Sequence, residues 1–197
     1  MHTFIADYLE TMIAALRRVD QQVIADIIQA FEQCHDAQGT IYVIGNGGSA
    51  ATASHMANDF SGGLKLRGIR QFKVVSLADN TPLCTAIAND IGYDNIFYAQ
   101  LKDQLTAKDI VLAISCSGNS ANIVKAVHYA KSVQSKVIGL TGFDGGQLRE
   151  LSDINFHIAT DKGDYGIVED IHMMLDHIMF SYFVSLKPES KTVYSLR

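Results

Sequence analysis

Two short stretches carry residues suited to holding an anion: Gly45-Asn46-Gly47-Gly48-Ser49-Ala50 and Ser115-Cys116-Ser117-Gly118-Asn119-Ser120. Each follows an apolar run and opens a stretch of helical periodicity. Backbone N–H groups at a helix start and the helix dipole both favour negative charge. In the second stretch three hydroxyls add neutral donors, which suits a phosphate group. The spacing is neither GxGxxG nor a P-loop, since no Lys-Ser/Thr pair follows. No G-x-S-x-G is present to make a serine nucleophile. A tight turn with a Ser49 cap accounts for the first stretch equally well. A single cap at Ser120 or Asn119 needs one such residue, and the second stretch has more than that. Thr141-Gly142-Phe143-Asp144-Gly145-Gly146 reads as a glycine-assisted turn, and in Ala88-Asn89-Asp90 the carboxylate either orients a hydroxyl or caps a turn.

His55 and Asp59 are four apart on the helix expected after the glycine stretch, so they share one face. That pair can bind one ion or act as acid and base; it can also be an ordinary surface pair. The run Val168-Glu169-Asp170-Ile171-His172-Met173-Met174-Leu175-Asp176-His177 holds further carboxylates and imidazoles, and His172 there also reads as a packed core residue. Glu169 and His177 are eight apart, about 12 Å along one straight helix. Both cannot then contact one ion at about 2.0–2.2 Å. Either Glu169 precedes the helix or the two come from different subunits.

These residues need a scaffold. To about Ala37, apolar positions at helical spacing predict two helices or one bent helix: Phe4, Ile5, Tyr8, Leu9, Met12, Ile13 and Leu16, then Val23, Ile24, Ile27, Ile28 and Phe31. From Thr40, short apolar runs predict strands at Ile41–Ile44, Phe72–Leu77, Ile110–Ser115, Val137–Leu140 and Ile154–Ile158. Helical stretches lie between them at Ser49–Phe60, Ser120–Ser132 and Gly145–Leu151, with Asp79–Leu105 ambiguous. Such alternation implies a parallel sheet covered on both faces. Ligands of such sheets bind beyond the carboxyl ends of the strands, where both candidate loops fall. A last helix, about Val168 to Leu186, closes a single domain over 1–197, with 1–37 as a helical segment and 40–186 as the core. The tail Lys187–Arg197 is expected to be mobile or to dock on a partner subunit.

The 197 residues carry 16 basic and 21 acidic side chains, a net charge of −5, with 48% hydrophobic and 19% charged residues. That is a globular composition, too apolar for disorder. The acidic balance without a basic block argues against a nucleic-acid binder. No apolar run reaches the roughly 18 residues of a membrane span. The start, MHTFIADYLETM, lacks a basic, apolar leader pattern. Three cysteines, Cys34, Cys84 and Cys116, without a CxxC read as reduced thiols, so a cytoplasmic location is expected.

GNGGSA, H-x-x-x-D in the following helix, ANDIGYDNIF, SCSGNSAN and the late LTGFDGG together resemble the SIS (sugar isomerase) family, and within it the phosphoheptose isomerases. The resemblance spans nearly the whole chain. It implies a three-layer α/β/α sandwich around a five-stranded parallel sheet, with N-terminal helices, assembled as a homotetramer with sites between subunits. It implies that Ser115, Ser117 and Ser120 hold a sugar phosphate, with Cys116 where the family usually has Thr. Asn46, Gly47 and Ser49 would contact the substrate, Asp90 would orient its hydroxyls, and Glu169 would line the same site. The family's zinc ligands map to His55, Asp59, Glu169 and His177. Asp59 stands where the family has Glu, and Glu169 where it has Gln. Gly63 falls where an Arg is expected and Gly166 where an Asp is expected; Lys65, Arg67 or Arg70 is then the replacement cation.

The implied activity is an aldose–ketose isomerisation of sedoheptulose 7-phosphate through an enediolate, with Asp59 as base and His177 as the second acid/base group. Two other readings fit the same resemblance. One is a non-catalytic module that binds a replication initiator or senses a sugar phosphate. The other is an isomerase or lyase of another sugar phosphate.

Overall fold

The computed structural model describes residues 1–190. Five strands, β1 (Ile41–Gly45), β2 (Val74–Ser76), β3 (Ile110–Ser115), β4 (Lys136–Gly142) and β5 (Ile154–Ile158), form one parallel sheet in the order β2-β1-β3-β4-β5. The strands are short and apolar because both faces are covered, so neither alternate set of side chains meets water. In β3, Ile110, Leu112 and Ile114 face one core, and Val111 and Ala113 face the other. The β2 ladder is shorter than the apolar run Phe72–Leu77. Its outermost bonds are Ile41 N–H to Lys73 O and Leu77 N–H to Val43 O. Phe72 instead joins Phe31, Phe60 and Phe183 in an aromatic cluster with ring centroids 5.0–6.1 Å apart.

The N-terminal segment is two helices, α1 (His2–Leu16) and α2 (Gln21–Asp36), the second capped by Asp20 accepting from Gln22 N–H. Ile24, Ile27, Phe31 and Cys34 of α2 pack into the first core, together with α3 (Gly48–Ala57) and α9 (Tyr165–Ser185). The helix after the glycine stretch is not regular to Phe60. It widens into a π-helical turn at Asn58–Gly63, then tightens into α4 (Leu64–Leu66). Ser61 Oγ donates to Val74 O and accepts from Val74 N–H, which ties this turn to β2. The ambiguous stretch resolves into α5 (Thr81–Ile91), a 3₁₀ turn at Tyr93–Asn95 and α6 (Tyr98–Leu101). Together with α7 (Ala121–Ser132) and α8 (Gly146–Leu151), α6 covers the second face.

The strand order makes the site. The chain leaves β1 for β2 on one side and returns across it to β3, so the switch point lies between β1 and β3. Gly45 at the end of β1 pairs with Ile114, one residue before the second loop begins. The two stretches therefore leave the sheet side by side. At the chain's end, the 3₁₀ turn Pro188–Ser190 belongs to the expected tail, whose remainder, from 191, lies outside the described residues.

Candidate functional site

The cap of α3 is Gly47, not a serine. Gly47 adopts φ +55° with nothing near where a Cβ would lie, and it offers no side-chain cap. Ser49 is buried inside the first turn, so the reading of it as a cap is corrected. Asn46 is locked in place: it exchanges amide hydrogen bonds with Asn122 at 2.8 and 2.9 Å, and its Oδ1 also accepts from the Tyr93 hydroxyl at 2.8 Å. Motif reading missed both partners. Tyr93 lies three residues after the exposed Asp90, whose carboxylate accepts from Asn89 Nδ2. The described contacts bring Tyr93, not Asp90, to the loop.

In the second loop, Ser120 is the cap residue of α7 but makes no cap hydrogen bond. Its hydroxyl lies 3.3 Å from the Ser115 hydroxyl, and Gly118 N–H donates to Ser115 Oγ. Ser117 Oγ accepts from Asn119 N–H. Gly118 adopts φ +64°, and a Cβ there would overlap the Gly145 carbonyl, so the bend requires glycine. Burial, and next the charge of Glu169, push the Cys116 thiol up to about 11. It is thus a packed, protonated thiol at neutral pH, not a nucleophile.

On the neighbouring side, α3 and α9 bring four titratable groups together. His55 Nε2 lies 3.1 Å from His177 Nε2, 3.6 Å from Asp59 Oδ2 and 3.6 Å from Asp176 Oδ2. His177 Nε2 lies 3.9 Å from the same Asp176 oxygen. One atom from each of the four falls within 4.8 Å of every other. Asp59 Oδ1 accepts from Asn58 Nδ2. Burial, and next the charge of Asp59, push the Asp176 carboxyl up to about 7. Donors held 2.0–2.2 Å from one tetrahedral ion lie about 3.3–3.6 Å apart, so this set of two imidazoles and two carboxylates fits a divalent cation.

Glu169 is not among them. It lies in the second turn of α9, eight residues before His177, so the possibility that it precedes the helix is removed. Its carboxylate packs against Gly48, where a Cβ would overlap it, and it faces Cys116. Within one chain, Asp176 and not Glu169 meets His55, Asp59 and His177, and Glu169 lines the glycine and serine loops, which leaves the two-subunit arrangement as the way Glu169 could join them. His172 is buried, with Nε2 3.3 Å from Thr141 O, and burial lowers its pKa to about 4. It is a neutral core residue.

Of the three candidate cations, Arg67 is the one at Gly63. Its guanidinium donates to Gly63 O and stacks on Phe180 with 5.1 Å to the ring centroid. Arg70 pairs with Glu32. At Gly166 the Tyr8 hydroxyl of α1 lies 2.8 Å from where a Cβ would project.

The SIS domain family profile matches residues 7–142. A phosphoheptose isomerase of Helicobacter pylori is 34% identical over 171 residues, 87% of this chain and 85% of that protein. One from Aliarcobacter butzleri is 39% identical over 137 residues, 70% and 71% of the two chains. The structure of phosphoheptose isomerase GmhA from Neisseria gonorrhoeae superposes with a TM-score of 0.84 at 30% identity, covering 93% of this chain and 98% of that one. With adjoining glycine and serine loops at the switch point of a parallel sheet, and this likeness along most of its length, the chain belongs to the SIS domain family.

Proposed function

We infer that the protein is an aldose–ketose isomerase that converts sedoheptulose 7-phosphate to D-glycero-D-manno-heptose 7-phosphate. The observation that carries this is a junction of two chemistries. Hydroxyls and amides suited to a phosphate meet at the start of α3, and two turns along the same helix His55 joins a cluster of carboxylates and imidazoles suited to proton transfer. The relatives named above bear the matching activity in their names.

Ser115, Ser117, Ser120 and the first amides of α7 would hold the phosphate, and the hydroxyl of Ser120 is available because it makes no cap bond. Asn46, fixed by Asn122 and Tyr93, would present its amide to the sugar beside Gly47 and Ser49. Asp90 would orient a distal hydroxyl. Fixing the phosphate orients the open-chain sugar so that its carbonyl end reaches the charged cluster.

Asp59 would take the proton from the hydroxyl-bearing first carbon of the ketose. The electron pair forms the carbon–carbon double bond and the carbonyl electrons move to oxygen, which leaves an enediolate. His177 would move a proton between the two oxygens. Return of the proton to the second carbon then gives the aldose. Asp59 is half-buried beside His55 and His177 is exposed towards solvent, which supports these roles. His55, Asp59 and His177 have the donor types for zinc, which when bound polarises a carbonyl or hydroxyl oxygen.

Two further features extend the reading. Phe4, Ile5, Leu9, Ile13 and Leu16 of α1 are all exposed, and α5 has no buried residue although it carries Leu83 and Ile91. Such faces favour assembly of identical chains into a homotetramer that completes the site. The three free cysteines, and the absence among the described residues of a helix long and apolar enough to cross a membrane, favour the cytoplasm.

Incubation with sedoheptulose 7-phosphate in deuterated water, followed by NMR, tests the activity. The expected result is an aldoheptose phosphate with deuterium on its second carbon. Thermal stabilisation by the sugar without product or deuterium would overturn the enzyme reading in favour of a binding module.

A further inference from the structure

We propose that Asp176 is a direct ligand of a divalent cation, together with His55, Asp59 and His177, so that one chain supplies the whole donor set. The proposal refines the active-site reading above, yet it concerns metal binding by the free protein and can stand or fall alone.

The Asp176 side chain is 0% exposed, and neither of its oxygens has a hydrogen-bond partner. Burying an unpaired carboxylate costs several kcal/mol, so native folds seldom leave one without compensation. The neighbouring imidazoles supply no hydrogen bond here. Asp176 Oδ2 lies 3.6 Å from His55 Nε2 and 3.9 Å from His177 Nε2, beyond hydrogen-bonding distance. A protonated Asp176 is no better, because it would be a buried donor with no acceptor. The 3.6 Å separation instead falls in the range for two donors on one tetrahedral ion, about 3.3–3.6 Å, and the 3.9 Å one lies a few tenths of an ångström beyond it.

Charge agrees with distance. Two carboxylates carry −2 and two neutral imidazoles carry none, so a divalent cation leaves the site neutral, with one of the carboxylates fully buried. Glu169 as an added ligand would leave it at −1.

The placement on α9 explains how adjacent residues can serve one ion. Successive helical side chains diverge by about 100°. Asp176 approaches from the buried side and His177 from the exposed side, with His55 of α3 meeting both. Asp176 also occupies the stripe of α9 otherwise filled by Ile171, Leu175, Met179 and Phe183, where an apolar residue would be expected from packing alone.

The test is titration of metal-stripped protein with zinc against a chromophoric chelator, without sugar. Wild type should take up one zinc per chain. Asp176→Asn should weaken binding about 100-fold or more, since loss of even an outer-shell partner costs 10–100-fold. Glu169→Ala, which removes any donor at that position, should cost less than the roughly tenfold that marks even an outer-shell partner. Asp176→Leu removes the unpaired carboxylate and serves as the folding control. Its metal-free Tm should equal or exceed that of the metal-free wild type, and its zinc stabilisation should be lost. Wild-type zinc affinity in Asp176→Asn, or a large loss in Glu169→Ala, would overturn the proposal. Either result leaves the isomerase reading intact. Conversely, zinc binding that depends on Asp176 in a protein without isomerase activity would overturn only that reading.

Discussion

The two halves of the site are built on opposite principles. The cradle formed by the 45–49 and 115–120 stretches is made of uncharged amides, hydroxyls and backbone bends, with the Glu169 carboxylate packed against Gly48, and its geometry is set by the ends of β1 and β3. The cluster of His55, Asp59, Asp176 and His177 is charged, crosses between two helices and includes a π-helical turn. Neutral donors can be preorganised by the backbone at little cost. Titratable groups in a partly buried space must be offset by one another or by a cation. The contrast implies a division of labour: the cradle binds and the cluster moves protons.

Asp59→Asn separates the two most strongly. It keeps volume and removes the base, so kcat should fall by about 10³, within the 10²–10⁴ range of acid–base catalysis, while KM changes little. Steady-state kinetics with sedoheptulose 7-phosphate checks this, and near-normal turnover would remove Asp59 from the chemistry.

His172 sharpens the contrast within α9, because it is an imidazole that belongs to the core. Its folded pKa is lowered from 6.5 to about 4. As pH falls from 6.5 towards 4, the unfolded chain takes up a proton that the folded chain refuses, so stability drops across that window. The resulting loss in the folding constant is on the order of a hundredfold. Tm against pH should show it in wild type, and His172→Phe should lack that component. Identical pH profiles would show that His172 does not couple to folding.

Ser120→Ala should act on the cradle alone. A hydrogen bond to a charged group is worth about 1.5–3 kcal/mol, so KM should rise at least about tenfold with kcat largely kept. Because Ser120 makes no cap bond, Tm should hold; a loss near 1 kcal/mol would instead mark it as a structural cap. The smallest effect is expected from Tyr93→Phe. Asn46 would keep its two bonds to Asn122, and kcat/KM should fall only severalfold.

The same contrast explains what could be read from the amino-acid order. Glycine and serine stretches after apolar runs state their purpose locally, because strand, turn and helix start are contiguous. Their meeting followed from the rule about strand ends. Asn122 and Tyr93 could not be read this way, since they reach Asn46 from 76 and 47 residues away. Asp176 was overshadowed by His177, yet it carried a signal. It is a carboxylate on the stripe that Ile171, Leu175 and Met179 place in the core. Glu169 stands apart from the cluster within one chain for the reason its spacing already contained, eight residues on one helix.

The most direct test of the divided site is solvent exchange at saturating sugar. Wild type and Asp59→Asn would each be incubated with sedoheptulose 7-phosphate in deuterated water and followed by NMR, with binding verified by thermal shift. The account predicts that both bind the sugar and that only wild type places deuterium on the carbons that interconvert. Exchange by Asp59→Asn at the wild-type rate would contradict it.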